Sequence, residues 1–166
     1  MQRRWMSATL FLLFLLESTV FQLLLFGRYG SDYSIFPRFM LIFIIYISIY
    51  KDKKFALIAG LIFGLLHDIV LGRVIGVYMI GMAGIAYFSG WLTQHFHPTF
   101  LLYFLAELIG NLAFELYLYG MLRLYQLINI PFNWMASNIL IPTVIFNLFF
   151  ALVFYLPLRK LIEGSE

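Results

Sequence analysis

Residues 56–84 read ALIAGLIFGLLHDIVLGRVIGVYMIGMAG, and small residues and one aspartate recur in this run every four positions. Residues four apart lie on nearly one face of a helix for two or three steps, where small side chains let a neighbouring backbone approach closely. The repeat comprises Ala56, Gly60, Gly64, Asp68, Gly72 and Gly76. The pattern favours tight packing between helices, and the same groove could also receive a helix of another protein.

The composition of the whole chain is that of a protein whose solvent is lipid. Of its 166 residues, 63% are hydrophobic and 11% are charged, and the mean hydropathy is +0.94. A soluble domain carries about 25% charged residues, so this chain lacks the polar residues to cover a surface in water. We expect one transmembrane domain over residues 1–166 with no soluble catalytic domain.

Six apolar stretches predict an all-α bundle of six transmembrane helices. They are separated by polar or turn-forming residues and cover about 5–26, 35–50, 55–72, 74–92, 99–125 and 136–158. The third and fourth stretches are divided only around residues 71–73, so this pair could be partly re-entrant and a five-span reading stays open. The first stretch is too long for a signal peptide and contains Glu17, so we expect a retained span.

The positive charges predict that both termini are cytoplasmic, because Lys and Arg accumulate in cytoplasmic loops. With the N-terminus inside, seven lie on the cytoplasmic side and four on the other. The inner set is Arg3, Arg4, Lys51, Lys53, Lys54, Arg159 and Lys160, and the outer set is Arg28, Arg38, Arg73 and Arg123. Membrane lipid explains the net charge of +3 better than nucleic acid, which we exclude as a partner.

Asp68 and Arg38 are charged residues next to apolar helices. An isolated carboxylate at the centre of a bilayer costs about 2.5–3.5 kcal/mol, so Asp68 should face the bundle interior, an aqueous cavity or a cation. We expect a structural ion pair, for which Arg73 and Arg38 are the candidate cations, or a contact with a helix end. Binding of a ligand or protein partner is the alternative. Residues 36–39, FPRF, read as a helix start in which proline occupies the first turn and Arg38 reaches the outer interface.

The fifth apolar stretch carries a polar track at four-residue intervals, formed by Glu107, Asn111, Glu115, Tyr119 and Arg123. Glu107 and Glu115 are about 12 Å apart along a helix, too far to share a proton. Together with Glu17 they place three carboxylates at membrane depth. Three interpretations stay open for them, namely hydrogen bonds between helices, binding of a partner, and proton transport.

No constellation of residues predicts catalysis, a cofactor or a metal. The chain has no cysteine, and His95 and His97 lack a nearby third ligand. His67 adjoins Asp68, but neighbouring helical residues point about 100° apart and no nucleophile accompanies them. We therefore expect no enzymatic activity. The apolar connection 126–134 is either an ordinary interfacial loop or a contact site for another protein.

Several motifs in a consistent order resemble those of one family. They are GLIFGLLHD at 60–68 followed by Gly72, GVY at 76–78 and Gly81, then PRF at 37–39, FELY at 114–117 and IPT at 141–143. The chain is thereby similar, from its first span to its last, to the rod shape-determining MreD family, particularly its Bacillus-like members. His67 departs from the aromatic or aliphatic residue that often precedes the aspartate in that family.

The resemblance implies a non-enzymatic scaffold in lateral cell-wall synthesis that binds the bitopic protein MreC. It also implies proximity to MreB, RodA and a class B penicillin-binding transpeptidase, and a fold similar to the S-components of energy-coupling-factor transporters. The contact would be a partner helix against the glycines, with its register set by polar residues. The candidates are Arg38, Gly60, Gly64, Asp68, Gly76 and Glu115. The alternative is a vitamin- or lipid-binding protein of the S-component type.

Overall fold

A computed structural model describes residues 2–26, 34–70, 72 and 74–163. Its helices are α1 (Gln2–Phe26), α2 (Phe39–Tyr50), α3 (Lys53–Val70), α4 (Val77–His95), α5 (Phe100–Leu124), α6 (Phe132–Met135) and α7 (Ile141–Glu163). A π-helical segment, Ala136–Leu140, joins α6 to α7 without a break. These ranges contain helices and no strand, so the predicted all-α class is confirmed.

Within the described residues, two helices are long and apolar enough to cross a membrane. They are Phe100–Leu124 and the continuous helix Phe132–Arg159, while Trp5–Thr19 and Phe39–Tyr50 are shorter apolar helices. Two helix starts differ from the approximate starts of the predicted stretches. The helix of the second stretch begins at Phe39 and not at 35, and the final helix begins within the predicted 126–134 loop, at Phe132. Leu71 and Arg73, between the third and fourth stretches, lie outside the described residues.

Helix α2 is the centre of the bundle. Every residue from Phe39 to Ile49 is buried, and only Tyr50, at its end, is partly exposed. Its sequence FMLIFIIYISIY is apolar on all sides, which is typical of a helix surrounded by other helices. The 12 residues of α2 rise about 18 Å, less than the roughly 30 Å of a bilayer core.

The non-helical segment 34–38 extends the path of α2 and is hydrogen-bonded to the last helix. The N–H groups of Ser34, Phe36 and Arg38 donate in turn to Asn138 O (2.9 Å), Thr143 Oγ1 (3.2 Å) and Asn147 Oδ1 (2.9 Å). Asn147 Nδ2 donates back to Phe36 O at 3.1 Å. Non-helical backbone at membrane depth requires protein partners for its polar groups, and these bonds provide them.

The π-helical segment matches the spacing of these bonds. From residue 34 to residue 38, an extended chain advances about 13 Å. The acceptors 138, 143 and 147 are spaced by five and then four residues, which is about 13.5 Å of helix. The wider first interval falls where the helix has its π-helical turns. The π-helical segment therefore keeps the last helix in register with the chain that leads into α2.

Helices α3 and α4 pack through the glycines of the four-residue repeat. A Cβ atom on Gly60 would lie 3.1 Å from Ala83 Cα, and one on Gly64 would lie 2.6 Å from Met79 Cα. The helix backbones are in direct contact at these points, as the packing interpretation predicts. Because α4 of the same chain occupies the groove, the groove is not free to receive a helix of another protein.

Successive long helices run in opposite directions, so their ends form two layers. At one end, a Cβ atom on Gly90 of α4 would lie 2.7 Å from Lys53 Cβ at the start of α3. The ring of Tyr50 at the end of α2 lies 6.3 Å from that of Tyr155 in α7. We call this layer the basic end, because it contains Lys51, Lys53, Lys54 and Arg159. The opposite end contains the polar residues described next.

Candidate functional site

Six buried polar residues from different parts of the chain meet where α2 begins and α3 ends. They are Glu17 of α1, Arg38 before α2, His67 and Asp68 of α3, Glu115 of α5 and Asn147 of α7. Tyr78 of α4 lies between them. We call these seven residues the polar cluster. Buried polar groups in a membrane are expected to pair with one another. This cluster combines residues of α1, α3, α4, α5 and α7 with Arg38 from the segment before α2.

Arg38 and Glu115 form the ion pair of the cluster. Arg38 Nε donates to Glu115 Oε1 at 2.7 Å, and both side chains are nearly inaccessible, with exposures of 4% and 6%. The guanidinium also lies 5.2–5.6 Å from the ring centroids of Phe36, Tyr78 and Phe114. The prediction that Arg38 reaches the outer interface is wrong. Its charge is neutralised inside the bundle, where Glu115 and aromatic faces replace water.

Asp68 caps the start of α4. Its carboxylate accepts from the backbone N–H groups of Gly76 (2.8 Å), Tyr78 (2.8 Å) and Met79 (3.1 Å). A carboxylate is favourable at a helix N-terminus, because free N–H groups and the helix dipole point towards it. Gly76 has a φ of +102°, a left-handed conformation that favours glycine. Of the two expected contacts, the one with a helix end is formed, whereas Arg38 pairs with Glu115 instead. Arg73 lies outside the described residues.

Glu17 connects α1 to two other helices. Its Oε2 accepts from the N–H of Met40 in the first turn of α2 at 2.9 Å, and its Oε1 lies 3.1 Å from His67 Nε2. Glu17 thus serves the start of α2 much as Asp68 serves the start of α4. A helix that begins inside a membrane protein leaves N–H groups without intrahelical partners, and these two carboxylates accept from some of them.

The polar track of α5 divides into separate contacts. Asn111 Nδ2 donates to Glu107 Oε2 at 3.1 Å, whereas Glu115 binds Arg38. Tyr119 accepts from Arg123 Nη1 and donates to Ile130 O, both at 2.8 Å, which ties the connection 126–131 to α5. Glu17 and Glu115 therefore bond to other parts of the bundle, as the interpretation of hydrogen bonds between helices predicts, whereas the partner of Glu107 lies within α5 itself.

Sequence reasoning missed the roles of His67 and Tyr78. The two rings stack at 5.7 Å with an interplanar angle of 13°, and Tyr78 Oη lies 3.5 Å from Arg38 Nη1. A continuous line of contacts therefore runs from Glu17 through His67, Tyr78 and Arg38 to Glu115. Asn147 was also missed, although a lone amide within an apolar span was a usable signal.

The geometry of the cluster is that of a set of internal contacts. Each carboxylate is engaged by an arginine, an imidazole or backbone N–H groups, and no hydroxyl or amine is aligned with a base as a nucleophile would be. The described part of the chain contains no group of three or more metal-binding side chains. His95 and His97 are both exposed at the basic end.

A shallow groove lies outside the cluster, between α4 and α5. Its volume is about 280 Å³, and it is lined by Ile80, Gly81, Gly84, Ile85, Ala113, Phe114 and Tyr117. A Cβ atom on Gly84 would meet nothing within 4 Å, and Ala113 is exposed. We call this surface the α4/α5 groove. Its small residues leave room for another apolar surface to approach.

Comparison with known proteins identifies the family. Residues 2–164 match the family model described as rod shape-determining protein MreD. The chain belongs to the MreD family. It is similar to the rod shape-determining protein MreD of Bacillus subtilis (strain 168), with 30% identity over 159 residues, which cover 96% of this chain and 92% of that protein. No solved structure matches the chain.

Membership of the MreD family confirms the resemblance recognised in the sequence and gives the chain a role in cell shape. MreD proteins are determinants of rod shape and are not a known enzyme family. Together with the two apolar helices that are long enough to cross a bilayer, this makes the chain a membrane protein with a role in cell shape. The polar cluster described above is a buried feature of this MreD chain.

Proposed function

We propose that this protein is a non-enzymatic membrane scaffold of the cell-wall elongation machinery that binds MreC. It crosses the cytoplasmic membrane six times with both termini in the cytoplasm, and it works near MreB, RodA and a class B penicillin-binding transpeptidase. The observation that carries the proposal is that the polar side chains face the interior of the bundle and bond there. Arg38, Asp68 and Glu115 hold the bundle together and leave an apolar outer surface for lipid and protein contacts.

The α4/α5 groove is our candidate for the contact with MreC. In lipid, helices associate through close packing, and small residues at the interface allow that packing. Gly84 and Ala113 provide such positions on an outer face, whereas Gly60 and Gly64 are already covered by α4. Gly60, Gly64 and Gly76 have structural roles in this proposal, as do the three charged candidates.

A filled groove tests the proposal. Ala113→Leu places a larger side chain in the groove and should strongly reduce recovery of MreC when the full chain is purified from membranes. Ala8→Leu is the matched control, because Ala8 is also exposed but lies on α1. Equal recovery of MreC with both variants would overturn the assignment of the groove. Failure of the unmodified chain to bind MreC at all would overturn the scaffold itself.

The alternative of a small-molecule binder finds less support. A ligand site is normally a concave pocket with a few convergent polar groups. In the part of the chain that the structure describes, the side chains of the polar cluster bond to one another or to backbone groups, and the α4/α5 groove is lined almost wholly by apolar residues. The similarity to the S-component fold stays a prediction.

A further inference from the structure

Glu107 and Asn111 are two buried polar residues of α5 that lie outside the polar cluster. Both have an exposure of 0%. Within the part of the chain that the structure describes, Glu107 Oε1 and Asn111 Oδ1 have no hydrogen-bond partner. Such oxygens are costly, because burial removes the water that would otherwise donate to them. We propose that these two oxygens form the site of one monovalent alkali cation inside the bundle.

The orientation of the Asn111 amide follows from the groups around its nitrogen. Nδ2 lies 2.9 Å from the backbone oxygen of Glu107 and 3.1 Å from Glu107 Oε2. The backbone oxygen can only accept, so the NH₂ end of the amide must be the end that faces it. The atom of Asn111 that remains without a partner is therefore its oxygen, which has lone pairs to offer and no hydrogen.

Glu107 places a carboxylate in the apolar interior without a basic side chain beside it. It forms no ion pair with a described residue, and Arg38 is paired with Glu115, eight residues further along α5. A buried charge without a partner is expensive. A water molecule could donate to both oxygens, but it would leave the charge in place. A monovalent cation neutralises one carboxylate, whereas a divalent ion would leave an excess of positive charge.

The available ligands are all oxygen atoms, which hard cations prefer. Besides the carboxylate and the amide, the hydroxyl of Tyr103 lies one turn earlier on α5 and close to the Glu107 carboxylate. This hydroxyl makes only a long contact, 3.5 Å, with the backbone oxygen of Ala151 in α7. It therefore has a lone pair to offer as a third ligand. A cation held by these groups would also strengthen the contact of α5 with α7.

Apolar and aromatic residues close off the surroundings of the pair. A Cβ atom on Gly110, between Glu107 and Asn111, would lie 2.9 Å from Ile45 Cδ1 of α2, so α5 and α2 are in tight contact here. Towards the basic end, the ring of Tyr103 lies 5.6 Å from each of the rings of Tyr46 and Tyr155. Because water does not screen the carboxylate in this environment, its attraction for a cation is strong.

Thermal unfolding of the full chain in a mild detergent tests the site without reference to the scaffold function, on which the proposal does not rest. Sodium chloride replaces choline chloride stepwise at constant ionic strength, so that general screening by salt stays the same. A cation that binds the folded state stabilises it by mass action. We expect the unfolding temperature to rise by several degrees and to reach a plateau. A saturable rise in a parallel series with potassium chloride also supports the site.

Two substitutions remove the proposed ligands one at a time. Glu107→Gln removes the negative charge and keeps the shape of the side chain, and Asn111→Leu removes the amide oxygen. Each should abolish the rise of the unfolding temperature with Na⁺. Asn133→Leu is the matched control, because Asn133 is an exposed asparagine of α6, and this variant should keep the full rise.

The same unfolding temperature of the unmodified chain in all three chlorides would overturn the proposal. Glu107 would then be a neutral carboxylic acid that needs no cation. A full response to Na⁺ in Glu107→Gln would equally contradict the site, since the cation would then bind elsewhere. Each variant is compared with itself across the salts, so a loss of overall stability does not obscure the result. Should one variant fail to fold, the other variant and the unmodified chain still decide.

Discussion

The structure gives Arg38 a different position and partner from those that the sequence predicts. Its position before an apolar helix is typical of an arginine that reaches the membrane surface. In the fold it turns inward, because Glu115 lies within 2.7 Å and three aromatic rings surround the guanidinium. The partner is 77 residues away in the chain. No local pattern identifies a contact over that separation, which the packing of α2 against α5 creates.

The ion pair predicts strong coupling between two substitutions. Arg38→Met alone leaves Glu115 as a buried, unpaired carboxylate and should destabilise the protein by about 3–5 kcal/mol. Arg38→Met combined with Glu115→Leu removes both charges and should recover most of that loss. Unfolding of the single and double variants in mild detergent gives the coupling energy from a double-mutant cycle. Additive losses would show that the two residues contribute independently.

The carboxylates were predictable as internal residues but not in their individual contacts. A charge in lipid costs free energy, which predicts that Asp68 and Glu17 lie inside the bundle, as they do. Asp68 then binds amides 8 to 11 residues along the chain, which requires α4 to fold back on α3. The sequence left both a cation and a helix end open as the partner of Asp68, because the N-terminus that it contacts is known only once the boundaries of α4 are known.

At the scale of elements, α2 and its approach were the least predictable part of the fold. The apolar run is apparent in the sequence, but it continues through residues that are not helical. Pro37 held the necessary signal, since a residue that precedes proline is disfavoured in the α conformation. The partners of segment 34–38 lie in the last helix, more than 100 residues later, so its hydrogen bonds could not be predicted locally.

The glycine repeat of α3 was predictable, and it allows a matched test. Gly64→Ala puts a Cβ atom 2.6 Å from Met79 Cα, whereas Gly84→Ala meets nothing within 4 Å. The first substitution should destabilise the protein by about 1–3 kcal/mol, because the two backbones must separate. The second should be neutral or stabilising by up to about 1 kcal/mol, since alanine is the better helix former.

Thermal unfolding of the two glycine variants, purified in the same detergent, is the measurement. Both replace a glycine inside a helix by alanine, so any shared effect on helix propensity cancels in the comparison. A Gly64→Ala variant as stable as Gly84→Ala would mean that α3 and α4 are not in backbone contact at this point. Binding of MreC need not be measured, because the prediction concerns internal packing alone.

For the whole molecule, charge separates the two ends of the bundle. Lys51, Lys53, Lys54 and Arg159 occupy the basic end, and the polar cluster with its internally paired arginine occupies the other. Because Arg38 is neutralised within the protein, it contributes less than an exposed cation to the charge difference that orients the chain in the membrane. The count of seven Lys and Arg residues on the predicted cytoplasmic side against four on the other side therefore understates the difference in charge that orients the chain.

This balance predicts which connections face the cytoplasm. The absence of native cysteine allows one thiol to be placed at each end of the bundle. Asn129→Cys lies between α5 and α6, and His97→Cys lies between α4 and α5, and both positions are exposed. A membrane-impermeant thiol reagent added to intact cells should label the first and not the second. After permeabilisation it should label both.

Labelling at the N-terminus tests whether the first stretch crosses the membrane. With six spans, Gln2→Cys shares the basic end with His97→Cys and should stay unlabelled until the cells are permeabilised. If the first stretch does not cross the membrane, the other spans keep their orientation and Gln2→Cys is labelled from outside. Labelling of His97→Cys in intact cells would instead reverse the whole orientation. That result would place the polar cluster, with Glu17 and His67, on the cytoplasmic side.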